Sequence, residues 1–112
     1  MKGTYLGEFE EVVLLTIGIL DQDAYGVNIL TELTKQTGRS ISVGALHSAL
    51  MRLEEKGFVH SWTAGATPER GGRRKRYFNV TLAGLRSLKE AKTLRDQLWN
   101  QLPPLTWERS LL

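Results

Sequence analysis

Five cations fall within seven residues of this chain: Arg70, Arg73, Arg74, Lys75 and Arg76, in the stretch RGGRRKRYF. Guanidinium and ammonium groups at that density do one kind of chemistry well, the neutralisation of a polyanion. Arginine adds a planar fork that meets phosphate oxygens two at a time. The charge is local: the chain has 15 Lys plus Arg against 12 Asp plus Glu, and without these five residues the balance is 10 against 12. A basic segment on a slightly acidic body points to an oriented contact with nucleic acid rather than to diffuse stickiness.

Other chemistries find no support. There are no cysteines, which removes disulfides, thiolate metal sites and thiol nucleophiles. His47 and His60 are the two histidines, thirteen residues apart and outside any metal or nucleophile motif. Gly71-Gly72 does not belong to a phosphate loop, because neither GxxxxGK[ST] nor GxGxxG occurs. The expectation is no catalytic site, no metal and no cofactor. The longest apolar run, Val12 to Leu20, is nine residues, well short of the roughly 20 that span a bilayer. The N-terminal MKGTYLGEFEE carries one Lys and three Glu, the wrong charge for a signal peptide. A cytoplasmic protein with no membrane partner is expected.

The elements that must position the cations follow from periodicity. Phe9, Val12, Val13, Thr16, Ile17 and Leu20 recur at three and four residues, predicting a mostly buried helix over Leu6 to Leu20. Asp23 is the expected cap of a second helix, Ala24 to Gln36, with Val27, Leu30 and Leu33 inward and Gly38 at its end. Ser42 should cap a third helix over Val43 to Lys56, stopped by Gly57. Its buried stripe is Leu46, Ala49, Leu50 and Leu53. The opposite face presents Gly44, His47, Ser48, Met51 and Arg52, with the acids Glu54 and Glu55 held to the far end. A helix that begins small, polar and basic on its outer face can approach DNA.

After Gly57 the period changes. Phe58 to Thr63 is rich in β-formers, Ala64 to Gly72 holds three glycines and Pro68, and Lys75 to Val80 is extended again. That is a hairpin, with the cations at its tip and on its rising strand. Three helices followed by a hairpin make a winged helix-turn-helix, whose third helix enters the major groove while the wing meets adjacent backbone. The fold class is therefore mainly α with a small β-hairpin. At 112 residues, 41% hydrophobic and 24% charged, one compact core suffices.

A long fourth helix comes last, expected over Leu82 to Leu102 with Thr81 as cap and Pro103-Pro104 as stop. Leu85, Leu88, Ala91, Leu94, Leu98, Trp99 and Leu102 form a broad apolar band on it. A helix of about 31 Å outruns the cover that a small winged domain offers, so a second copy of the chain is expected to bury the band.

The chain resembles the PadR family of bacterial transcriptional regulators in AYGVNIL (Ala24 to Leu30), SVGALHSALMRLEEKGFV (Ser42 to Val59) and GGRRKRYFNVTLAGL (Gly71 to Leu85). The family pattern usually has Tyr where this chain has His47; a phosphate contact through His47 would depend on pH. The resemblance implies a homodimer on a pseudo-palindromic operator, usually as a repressor, in the compact branch with a single C-terminal helix. Residues 1–81 would be the DNA-binding domain and 82–112 the dimerisation helix and tail. The expected DNA face is Ser42, Gly44, His47, Ser48 and Arg52 of the third helix with Arg70, Arg73, Arg74, Lys75 and Arg76 of the wing. The expected dimer contact is Leu88, Ala91, Leu94, Leu98, Trp99 and Leu102. Some relatives sense small aromatic or drug-like compounds between the dimer helices, which singles out Trp99 as an effector contact. The alternative function is a winged protein-interaction module that uses the basic hairpin against an acidic partner.

Overall fold

The computed structural model describes residues 5–65 and 74–104. Its elements are α1 (Glu8–Leu20), α2 (Gly26–Thr37), α3 (Val43–Glu55), β1 (Val59–Ala64), β2 (Lys75–Val80) and α4 (Leu82–Trp99). The two strands pair antiparallel, with Val59 opposite Val80 and Ala64 opposite Lys75. This is the predicted order, and it is a winged helix-turn-helix.

One core joins the three helices to the root of the hairpin. Val13, Leu14 and Ile17 of α1, Ile29 and Leu33 of α2, and Leu46, Ala49, Leu50 and Leu53 of α3 are buried together with Phe58, Val59 and Phe78. The α3 stripe is the one its spacing predicts. At the end of α3, Gly57 takes φ 77°, and its N–H donates to Glu54 O at 3.0 Å while Phe58 N–H donates to Leu53 O at 2.9 Å. That pairing satisfies two helix-end carbonyls and turns the chain directly into β1 with Phe58 buried.

Several boundaries differ from expectation by one to three residues, α1 for instance starting at Glu8 rather than Leu6, and two of them have a cause in the contacts. The second helix starts at Gly26 with Tyr25 as N-cap, and no side chain caps it. Asp21–Asp23 forms a single 3-10 turn, after which the backbone is drawn into the sheet: Phe78 N–H donates to Ala24 O at 2.9 Å, and Tyr25 bridges Tyr77. Residues paired to a strand edge cannot also be the first helical turn. The fourth helix ends at Trp99 rather than Leu102. Its last amides, Gln101 and Leu102, reach back only three residues, to Leu98 and Trp99 at 3.1 Å. Pro103-Pro104 supplies no donors and disfavours helical geometry in the residue before it.

Thr81 ties α4 to the domain. Its hydroxyl accepts from Gly84 N–H at 3.0 Å and donates to Gly57 O at 2.6 Å, and its own N–H donates to Phe58 O at 3.0 Å. Gly84 then lies so close to the hairpin root that an added Cβ would stand 2.3 Å from Phe58 O. Gly18, in the last turn of α1, would meet only Val80 Cγ2 at 3.8 Å, an ordinary contact. These two helical glycines should therefore respond oppositely to alanine. Gly18→Ala is expected to raise stability by about 0.5–1 kcal/mol through helix propensity, and Gly84→Ala to lower it by about 1–3 kcal/mol through overpacking. Urea denaturation of both variants checks this.

Candidate nucleic-acid interface

The outer face of α3 is built as its sequence requires. Ser42 Oγ accepts from Ala45 N–H at 3.0 Å and fixes the first turn. Gly44, His47 and Ser48 are exposed, and nothing lies within 4 Å of the Cβ that Gly44 lacks. Val43 and Met51, not among the expected site residues, are exposed on the same helix. The start of α3 thus offers a low-profile surface with no part of the described body in front of Gly44.

Arg52 stands at the edge of this face and is bound to the body. Its Nε donates to Glu10 Oε2 at 2.7 Å, and Lys56 Nζ donates to Glu10 Oε1 at 2.5 Å. Lys56 also donates to Tyr5 O. Glu10 is 6% exposed. Burial pushes its pKa up, but the hydrogen bonds from Lys56 and Arg52 outweigh burial and hold the carboxyl below the ordinary 4.5. Sequence reasoning missed this residue. The signal was present: Glu10 precedes Val13, Leu14 and Ile17 by three, four and seven positions, so it lies on the buried stripe of α1, where an acid needs partners.

Three of the wing cations lie within the described residues. Arg74 is exposed. Lys75 Nζ stands 4.2 Å from the centroid of the Tyr25 ring. Arg76 Nη2 reaches Glu54 Oε1 at 3.1 Å and Ser61 Oγ at 2.8 Å. Arg70 and Arg73 lie outside the described residues. The solvent face of the hairpin carries an aromatic ladder: Trp62 stacks on His60 and on Tyr77, both at 5.8 Å between centroids, and Tyr77 meets Tyr25 edge-on at 5.4 Å. Cross-strand aromatic pairs of this kind stiffen a two-stranded sheet. Trp62 and Tyr77 were foreseeable as a pair once the register was known.

The apolar band of α4 divides along its length. Leu88 and Ala91 are half-buried, and Leu88 packs against the core. Leu94 and Leu98 are 55% and 59% exposed, and Trp99 and Leu102 are exposed as well. Arg95 anchors the C-terminal half of the helix through Glu11 at 2.6 Å. Beside that pair a cleft of about 270 Å³ runs between α1 and α4, lined by Tyr5, Leu6, Glu11, Ser87, Glu90, Ala91, Leu94 and Arg95. Among the described residues no group of acids and histidines could hold a metal ion, and no helix is long and apolar enough to cross a membrane.

The class of protein is thus a winged helix-turn-helix whose α3 has an open outer face. Residues 14–90 match the family described as the PadR-like transcriptional regulators. The chain belongs to that family and is a transcriptional regulator rather than an enzyme. Solved structures share its fold. A PadR-like transcription factor from Bacteroides fragilis superposes with a TM-score of 0.70 at 21% identity, covering 82% of this chain and 84% of that one. A PadR-like transcriptional regulator from Bacillus cereus gives 0.64 at 22% identity, covering 82% and 84%. A PadR family regulator from Clostridium difficile gives 0.60 at 23% identity, covering 83% and 96%. No curated protein matches the chain.

The carboxylate that joins α1 to α3 generates a prediction. A glutamate with a lowered folded-state pKa adds stability that is present above its unfolded value and lost as pH falls through the folded one. Wild type should therefore lose this contribution below about pH 4.5. Glu10→Gln should cost about 1–3 kcal/mol at neutral pH, because Lys56 keeps a buried charge with a weaker partner. The two proteins should converge in stability in acid. Guanidinium denaturation across that range is the measurement.

Proposed function

We propose that this regulator binds duplex DNA as a homodimer and represses transcription from a pseudo-palindromic operator. The observation that carries the proposal is the pairing of two uncovered surfaces: the small polar start of α3 and the apolar second half of α4. Ser42, Gly44, His47 and Ser48 form the groove-facing surface, with Arg52 at its edge. The wing cations Arg70, Arg73, Arg74 and Lys75 supply phosphate contacts. Residues 1–81 act as the DNA-binding unit, and 82–112 join two copies through Leu88, Ala91, Leu94, Leu98, Trp99 and Leu102. Paired across a two-fold axis, the exposed leucines become an isologous interface; left open, they would be an aggregation liability. A small aromatic effector would enter beside Trp99 and act by shifting the separation of the two α3 helices. Such a regulator works in the cytoplasm, where its DNA is.

The deciding experiment is selection from a random duplex pool. A site with two-fold symmetry is expected, its half-sites about 34–36 Å apart. Gly44→Glu should abolish selection while leaving the melting curve near wild type, since the added side chain meets open space in the free protein. Leu94→Glu with Leu98→Glu should sediment as a monomer and lose preference for the selected site. An asymmetric site, or a wild type that sediments as a monomer at micromolar concentration, would overturn the dimeric arrangement.

A further inference from the structure

The cation cluster splits at Arg76. Its side chain lies on the body-facing side of β2, the side of Phe78 and Val80, and its guanidinium sits at a junction of three elements. Nη2 donates to Ser61 Oγ of β1 at 2.8 Å and to Glu54 Oε1 of α3 at 3.1 Å. Ser61 Oγ in turn donates to Glu54 Oε2 at 2.6 Å. The Ser61 hydrogen bond, with Arg76 adding to it, holds the Glu54 carboxyl below its ordinary pKa. Beyond the buried root formed by Val59 and Phe78, this triangle fastens the hairpin to α3.

We propose that Arg76 is a positioning residue of the wing, bracing the hairpin against the C-terminal end of α3 through Glu54 and Ser61 instead of meeting phosphate. The inference rests on the DNA-binding function proposed above. Two physical arguments favour the brace. First, Glu54 lies ten residues along α3 from Gly44, about 15 Å at 1.5 Å per residue, away from the end where the helix is open. Second, a carboxylate already stands 3.1 Å from Nη2. A phosphate taking the Nη2 edge of Arg76 would have to displace Glu54, leave Ser61 short of a partner and sit beside the freed carboxylate. The angle between wing and recognition helix decides whether both reach one duplex together, so a brace here governs affinity without touching DNA.

Glu54→Gln separates the two roles, because a brace is weakened by it whereas a phosphate-binding arginine is released by it. Affinity is measured by fluorescence anisotropy on the pool-selected duplex and on a scrambled duplex, over a range of salt. Glu54→Gln and Arg76→Ala are each expected to weaken binding to the selected duplex about two- to fivefold. The slope of log affinity against log salt should not change, and the double variant should be no worse than either single one. The exchanged pair, Glu54→Arg with Arg76→Glu, should recover most of the loss. Tighter binding by Glu54→Gln, or a slope flattened by about 0.9 in Arg76→Ala, would overturn the brace. Amide hydrogen exchange on the DNA-free protein is the independent arm: β1 and β2 should exchange faster in both single variants, and unchanged protection would also overturn it. If wild type binds no duplex, the DNA-binding function fails, and the exchange arm alone decides the brace.

Discussion

A carboxylate withdrawn from water has to be matched by donors, and in this protein that requirement falls on Glu10. Its neighbours on α1 are core residues, so its side chain is carried into the space between α1 and α3. There Arg52 of α3 and Lys56, the C-cap of that helix, take one oxygen each. Apolar packing of Leu46, Leu50 and Leu53 resists separation of the helices but tolerates sliding, since hydrophobic contact is not directional. Two charge-assisted hydrogen bonds to one buried carboxylate are directional. They fix the rotation and height of α3 against α1, and with them the direction in which Gly44 and Ser48 face.

The same device recurs around α1. Glu8 takes the Arg39 fork from the segment after α2 at 2.8 and 3.2 Å, and Glu11 takes Arg95 of α4 at 2.6 Å. Three acids within the first turn of one helix thus reach three different parts of the chain, at an N-terminus where the helix dipole already favours negative charge. On its other flank α3 is held by Glu54, Ser61 and Arg76. The exposed pairs among these contribute little stability each; their common effect is on orientation. The consequence for DNA binding is a division of the cations. Arg39, Arg52, Lys56, Lys92 and Arg95 of the body are paired inside the molecule, as is Arg76 of the hairpin, and in the proposed function the other wing cations meet the polyanion.

The fourth helix shows a different balance. Its first half is committed to the domain by the Thr81 cap and by a backbone approach that leaves no room for a side chain at Gly84. Its second half is tied to α1 through Arg95, and Leu94 and Leu98 remain more than half exposed. An 18-residue helix is about 27 Å long, whereas the 13 residues of α1 beside it extend about 20 Å. Apolar surface is left at Leu82 and Leu85 as well as at Leu94 and Leu98, and the proposed two-fold partner would cover the latter pair.

Local chemistry was enough to set the element order, the caps at Ser42 and Thr81, the stop at Gly57 and the buried stripe of α3. Each of these depends on residues within one or two turns of one another, and the chain carries them in plain periodicity. The family was legible for a related reason: its motifs are themselves runs of such local signals. What tertiary structure decided was which polar groups meet. Tyr25 is drawn into the sheet edge by Tyr77, fifty-two positions away, and this moved the start of α2 past where its capping residue would have put it. In the sequence Arg52 and Arg76 are arginines on outer faces, with no sign that either has a partner in the chain. Their carboxylates lie 42 and 22 positions distant. An ion pair across such separations has no periodic signature; it exists only once the core has brought α1, α3 and the hairpin to within the length of two side chains.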